Sequence, residues 1–260
     1  MASEIERFPV LRVTEGSRTN IEEVIAKEFS LTIIINNRDL VTLLCSPANL
    51  EYLAVGFLSS EGLIKGKDEI KKIMLDEERG VIRVETEEDR DFAGRLITSG
   101  GGRGAAYYSS VDAPSQIKAK TEISANKVIA LVEDFQQRSP IYRATGGVHS
   151  AALCDKHNIL VFRDDIGRHN AIDKIFGECL LKDISTAERI VITSGRVSSE
   201  ILLKVAKRSI PIIISISAPT DLAVRLATDL RVTLIGFVRG GRMNVYTESW
   251  RVVAESPYRQ

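Results

Sequence analysis

Apolar positions recur with two different periods along this chain, and the change from one to the other divides it. Behind a polar lead over residues 1–15, the runs 30–35 (Ser-Leu-Thr-Ile-Ile-Ile) and 40–44 (Leu-Val-Thr-Leu-Leu) flank Asn36-Asn37. Paired asparagines tolerate the positive φ of a tight turn, so the pattern predicts a hairpin. Ser46-Pro47 then open a helix whose Leu50, Leu53, Ala54, Phe57 and Leu58 recur at helical spacing, with Gly62 as its stop. A short helix over 68–73 and strands over 81–84 and 95–98 complete an α+β first part.

The second part alternates more regularly. Ser124 caps a helix with Val128, Ile129, Val132 and Phe135 on its apolar face, ending before Ser139-Pro140. A strand pair (148–153 and 159–162) joined by Asp155-Lys-His-Asn158 leads into a helix from Asn170. Strands over 189–193, 211–216 and 232–237 then alternate with helices over 198–207 and 220–230, and Gly240-Gly241 turn the chain into 243–247. Such alternation with near-continuous Ile/Val runs predicts a largely parallel sheet covered by helices on both faces, whose ligands bind beyond the carboxyl ends of the strands.

Between the parts lies Ser99-Gly-Gly-Gly-Arg-Gly-Ala105, with four glycines in five positions. It reads as a mobile active-site loop or a plain linker. A phosphate-cradling P-loop is disfavoured because the Lys-Ser/Thr of that motif is missing. The division is therefore 1–98 as an N-terminal α+β domain, 99–123 as a glycine-rich loop and linker, and 124–260 as an α/β domain.

Charge and cysteine usage narrow the functions. Lys plus Arg and Asp plus Glu both total 35, which argues against a general polyanion surface, so no nucleic-acid partner is expected and any anion must be held locally. The first residues lack a signal-peptide pattern and no apolar run is long enough to span a bilayer, so a cytoplasmic protein is expected. The three cysteines, Cys45, Cys154 and Cys179, sit in apolar segments without disulfide or zinc spacing and read as buried thiols.

Candidate chemistry concentrates at the strand ends. Thr145-Gly-Gly-Val-His149 and Arg163-Asp-Asp-Ile-Gly-Arg-His-Asn-Ala171 bring two of the three histidines, paired carboxylates and two arginines into one window at a helix start. Free N–H groups and the helix dipole favour an anion there. Helix capping by Asp164 and Asp165, with Arg168 paired to them, is the structural alternative. Thr193-Ser-Gly-Arg196, Ser215-Ile-Ser217-Ala-Pro219 and Gly236-Phe-Val-Arg-Gly-Gly-Arg242 end the other strands, and their arginines offer planar forks suited to phosphate. Capping, turning and solvated arginines are the plain readings of each; repetition at four strand ends favours one shared phosphate-bearing ligand. The expected rim comprises Gly146, Gly147, His149, Asp165, Gly167, Arg168, His169, Ser194, Arg196, Ser217 and the segment Phe237, Val238, Arg239, Gly240, Gly241 and Arg242. A metal hydrolase built on His149, Asp164, Asp165 and His169 is disfavoured, because the His-x-Glu and Pro-Cys-x-x-Cys signature of the zinc deaminases is missing.

Taken in order, Ala54-Val-Gly-Phe-Leu58 with Glu61-Gly62, Thr145-Gly-Gly-Val-His149, Asp165-Ile-Gly-Arg-His-Asn-Ala171, Ser194-Gly-Arg196, Ser217-Ala-Pro219 and Gly236-Phe-Val-Arg-Gly-Gly-Arg242 resemble the FdhD family over about 31–247. These are formate dehydrogenase accessory proteins described as sulfurtransferases. The resemblance implies an α/β fold with a cytidine deaminase-like C-terminal domain, a smaller α+β N-terminal domain, and a homodimer. It also implies transfer of sulfur from a cysteine desulfurase to the bis-molybdopterin guanine dinucleotide form of the molybdenum cofactor, bound through its guanine nucleotide ends partly at Phe237-Val-Arg-Gly-Gly-Arg242, before that cofactor enters formate dehydrogenase. One departure stands out: the family's Cys-x-x-Cys is expected near Gly101 and Gly104, yet positions 46–153 hold no cysteine. A persulfide carrier needs a thiolate to accept and present the sulfane sulfur. Among the resident thiols Cys154, at a strand end, is the least improbable substitute. Without one, the protein is expected to bind or deliver the cofactor rather than carry sulfur.

Overall fold

The computed structural model describes residues 3–87 and 114–253. The expected strand over 95–98, the glycine loop, and the positions near Gly101 and Gly104 lie outside them. The chain begins with β1 (Ile5–Thr14) and β2 (Ser17–Ala26), an antiparallel ribbon that the sequence reading missed. Next come β3 (Phe29–Ile35), β4 (Arg38–Cys45), helix α1 (Leu50–Ser60), β5 (Ile70–Asp76) and β6 (Val81–Thr86). Asn36 and Asn37 both take positive φ, as the hairpin turn requires. The helix expected over 68–73 is instead a 3₁₀ turn, Lys67–Glu69, running into β5. There Ile70, Ile73 and Leu75 pack beside β6 and against the core under α1. These strands form a four-stranded sheet, β4-β3-β6-β5.

The second part follows as β7 (Ile123–Ser124), α2 (Ala125–Gln137), α3 (Pro140–Thr145), β8 (His149–Cys154), β9 (Ile159–Asp165), α4 (Arg168–Leu181), β10 (Ile190–Thr193), α5 (Ser199–Ala206), β11 (Ile212–Ser215), α6 (Asp221–Asp229), β12 (Thr233–Arg239), β13 (Arg242–Val245) and β14 (Val252–Val253). Six of these strands make one sheet in the order β13-β12-β11-β10-β8-β9. It is mixed rather than largely parallel: β10-β11 and β11-β12 are parallel, while β8-β9, β8-β10 and β12-β13 are antiparallel. In this sheet the parallel ladders lie where α5 and α6 supply crossovers, whereas short turns close the β8-β9 and β12-β13 hairpins.

Alternate residues of this sheet feed two cores, as expected. Ala151, Leu153, Val191, Ile213 and Leu234 pack with α4, α5 and α6, and Ala152, Cys154, Ile192, Ile214 and Ile235 pack beneath Val128, Leu131, Val132 and Phe135 of α2. The Ser124 side chain caps α2 as expected, and Ser198 and Thr220 cap α5 and α6 in the same way. Ser46 is the exception. Helix α1 starts at Leu50, and the Ser46 hydroxyl accepts from Ile166 N–H while its own N–H donates to Asp165 Oδ2. It therefore ties the first part to the turn before α4.

Candidate functional site

Because β9, β10, β11 and β12 run in one direction and β8 runs opposite, their ends and the start of β8 share one rim. Helix α3, capped by Ser139 and ended by Gly146 at φ 63°, delivers the chain to β8. The tail of that short helix, the start of β8 and the ends of β9, β10 and β11 enclose a cleft of about 370 Å³ lined by Tyr142, Gly146, Gly147, Val148, His149, Ile166, Ser194 and Ile216. Four of the expected rim residues, Gly146, Gly147, His149 and Ser194, thus meet in one place.

Ser194 organises the polar end of the cleft. Its Oγ accepts from Ser150 N–H at 2.9 Å and lies 3.3 Å from His149 Nδ1. Burial first, then the neighbouring Arg168 and Arg196 guanidinium groups, push the His149 pKa below the usual histidine value, so this imidazole is neutral at neutral pH. Arg168 opens α4 and its side chain lies over Gly195, where an added Cβ would come within 2.8 Å of Arg168 Cβ. Its Nε is buried without a hydrogen-bond partner. Arg196 is exposed beside it. The site pairs a neutral cleft, lined by apolar and polar groups alike, with adjacent cations, an arrangement suited to a ligand with a flat polar-edged ring and an anionic tail.

Other expected residues serve the fold. Asp165 is fully buried against Lys174, Nζ to Oδ2 2.6 Å, and also accepts from Ser46 N–H, Gly167 N–H and Asn170 Nδ2. With no surface facing the rim it shapes the turn, and Gly167 is the helix N-cap inside that turn. Asp165 does not cap α4, whose N-cap Gly167 has no side-chain cap hydrogen bond, and its charge partner is Lys174 and not Arg168. Asp164 accepts from the Ser139 and Ser150 hydroxyls, and burial raises its pKa. Val238 is buried in the core beneath α2, so its side chain cannot reach a ligand. Phe237, at φ 54°, donates its N–H to Ser217 O, which joins the β12-β13 hairpin to the β11 end next to cleft residue Ile216. Gly240 and Gly241 form the tip of that hairpin between exposed Arg239 and Arg242. Tyr142, Ile166 and Ile216 were not among the expected site residues; a Ser-Pro start and glycine stop mark the short helix that carries Tyr142, and no such signal marks the other two.

His169 does not line this cleft and instead lies beside Glu200, Nδ1 to Oε2 3.6 Å, with its side chain 12% exposed. Burial, then Lys204 and Arg168, lower its pKa to about 4. The unfolded chain therefore binds a proton here near pH 6.5 that the folded one refuses until about pH 4. Stability is present above pH 6.5 and is lost as pH falls toward 4. Urea unfolding at pH 7.5 and pH 5 is expected to show about 2 kcal/mol of this loss, absent in His169→Gln.

All three cysteines are buried, and burial raises each thiol to a pKa of about 12. Cys154 is no exception: it ends β8 inside the core under α2, and the chain does not run as strand from Thr145, which closes α3. Thiolate is scarce at neutral pH under such conditions. Among the described residues no group of three or more His, Cys, Asp or Glu is placed to hold a metal ion, and no helix is long and apolar enough to cross a membrane.

Fold and site define a mixed α/β protein with a cleft at the carboxyl ends of its strands. Comparison with known proteins narrows this class. The profile of the FdhD/NarQ family matches residues 26–253, and the chain belongs to that family. It is 44% identical over 253 residues to the sulfur carrier protein FdhD of Bacillus subtilis (strain 168), covering 94% of this chain and 95% of that protein. The sulfur carrier protein FdhD of Staphylococcus aureus (strain MRSA252) is 40% identical over 252 residues, with the same coverage of 94% and 95%. A crystal structure of a protein assigned as a formate dehydrogenase accessory protein, from Desulfotalea psychrophila, superimposes with a TM-score of 0.82 at 26% identity, covering 96% of this chain and all of that one.

Proposed function

We propose that this chain serves formate dehydrogenase maturation by holding the bis-molybdopterin guanine dinucleotide form of the molybdenum cofactor through its guanine nucleotide ends. The observation that carries the reading is the Arg168 guanidinium, whose buried Nε has no hydrogen-bond partner among the described residues, beside a cleft of nucleoside-compatible size. A buried donor left unpaired costs about 1–3 kcal/mol, which an incoming phosphate oxygen recovers. Arg196, Arg239 and Arg242 extend the positive edge, and backbone at Gly146, Gly147 and Ser217 completes the wall. The sheet order β9-β8-β10-β11-β12, with only β8 reversed among these strands, supports a cytidine deaminase-like C-terminal domain. We take the protein to act in the cytoplasm as a homodimer.

The relatives are named sulfur carriers, and the sequence resemblance implies a cysteine desulfurase as the donor for such a carrier. No thiol of this chain suits that step, because all three are buried and protonated. We therefore assign it the binding and delivery of the cofactor, not the carriage of persulfide. Calorimetric titration with guanosine diphosphate tests the binding. Arg168→Ala should weaken affinity by about 1.5–3 kcal/mol, and the exposed Arg242→Ala by less. Unchanged affinity in both variants would move the site off this rim.

A further inference from the structure

The rim proposed above as a nucleotide site depends on the turn 165–170, since Ile166 lines the cleft and Arg168 opens α4 beside it. That turn has no side-chain cap of its own, because Gly167 stands at the N-cap. Much of what holds it comes instead from the first part of the chain, at the end of β4. Ser46 Oγ accepts from Ile166 N–H at 3.1 Å, and Ser46 N–H donates to Asp165 Oδ2 at 3.1 Å. Leu44 O accepts from Asn170 Nδ2 at 2.8 Å, and Ser46 O accepts from Lys174 Nζ at 3.3 Å. Ser46 is 2% exposed, so water is poorly placed to stand in for its hydroxyl.

We propose that Ser46 is a positioning residue of the rim: its hydroxyl fixes Ile166 N–H and so sets where the Ile166 wall and the Arg168 guanidinium stand. Two further contacts leave the turn little slack. Toward β10, an added Cβ at Gly195 would lie 2.8 Å from Arg168 Cβ, so the arginine stem already rests on the strand end and cannot move inward. Behind the turn, α1 follows Ser46 closely in the chain and crosses α4 with Gly56 against Gly177. An added Cβ on Gly56 would stand 1.8 Å from Asp173 O, so the two backbones are in contact. The loop that carries Ser46 is therefore anchored to the same helix whose start it holds. Without the hydroxyl, Ile166 N–H loses its acceptor and the turn can relax outward, the one direction left open. Arg168 then meets an anion at poorer distance and angle, and hydrogen bonds weaken steeply with misalignment.

Calorimetry with guanosine diphosphate and amide hydrogen exchange at Ile166, both on the whole chain and well below each melting midpoint, test this. Ser46→Ala should bind about 5-fold more weakly than the parent, and its ligand-free Ile166 amide should exchange about 10-fold faster. Ser46→Thr keeps the accepting oxygen and should bring both readings to within about 2-fold of the parent. Val84→Ala is the control: it empties part of the same core from β6, which β3 separates from β4. It should lower the melting midpoint yet leave the affinity and the Ile166 exchange as in the parent. If Ser46→Ala does not fold, Asn170→Ala, which removes the neighbouring bond to Leu44 O, takes its place and should also weaken binding. Parent-like affinity or parent-like Ile166 exchange in Ser46→Ala, or an equal loss of affinity in Val84→Ala, overturns the positioning role while leaving the nucleotide rim intact. A parent that binds no diphosphate overturns the nucleotide reading, and with it the role that rests on it.

Discussion

Replacing Gly177 by alanine is expected to destabilise the protein by at least about 3 kcal/mol, read as a loss of urea midpoint at unchanged slope. Helix propensity alone argues the reverse, since alanine is about 1 kcal/mol better than glycine inside a helix. Geometry decides the sign. Helices α1 and α4 cross backbone to backbone, so an added Cβ on Gly177 would stand 1.9 Å from Tyr52 O and 2.7 Å from Gly56 N. One on Gly56 would stand 1.8 Å from Asp173 O. Backbone cannot rotate aside as a side chain can, so the helices must separate. The separation would break the hydrogen bond that spans the two helices beside the crossing, from the Ser60 hydroxyl to Asp173 Oδ1 at 2.6 Å. An equal or higher midpoint in Gly177→Ala would show that the close crossing is not part of the folded state.

Lys174→Met is expected to cost about 3–5 kcal/mol, because it strands the Asp165 carboxylate in the interior. Both side chains are 0% exposed and 2.6 Å apart. Lys174 also donates to the carbonyl oxygens of Ser46 and Asp164, each at 3.3 Å. Methionine keeps most of the volume and removes the charge, so the loss reports the unpaired carboxylate more than a cavity. The rim should feel it too. Asp165 Oδ1 holds Gly167 N–H at 2.8 Å and Asn170 Nδ2 at 2.9 Å, and these bonds set the start of α4, from which Arg168 projects. Where Lys174→Met remains folded, guanosine diphosphate should bind more weakly than to the parent. Full stability would mean that the interior tolerates Asp165 alone or protonated.

What local periodicity encodes was legible in the chain. The β3-β4 hairpin, α2 and the alternation from β8 to β12 follow from apolar spacing and turn residues, and the strand-end loops could be placed on one rim because crossovers impose a common strand direction. Long-range partners were not legible. Ser46 carries the same capping chemistry whether it serves α1 or the turn before α4, and only the packed structure selects the second. In the ribbon β1-β2, Phe8, Leu11 and Val13 are exposed among charged neighbours, so no buried face marks it. The half-exposed pattern of β5 fits a strand or a short helix until β6 pairs with it. Within the site, His149 and Ser194 stood out as polar residues at strand ends. The apolar walls from Tyr142, Ile166 and Ile216 come from separate elements whose meeting no sequence interval announces.

The rim, not a resident thiol, is the centre of this account, and a crystal structure of the guanosine diphosphate complex tests it most directly. The account predicts the ring between Tyr142 and Ile216 within hydrogen-bond reach of His149, and the diphosphate on Arg168 and Arg196. A diphosphate bound away from these residues, or none bound at saturating concentration, would contradict it.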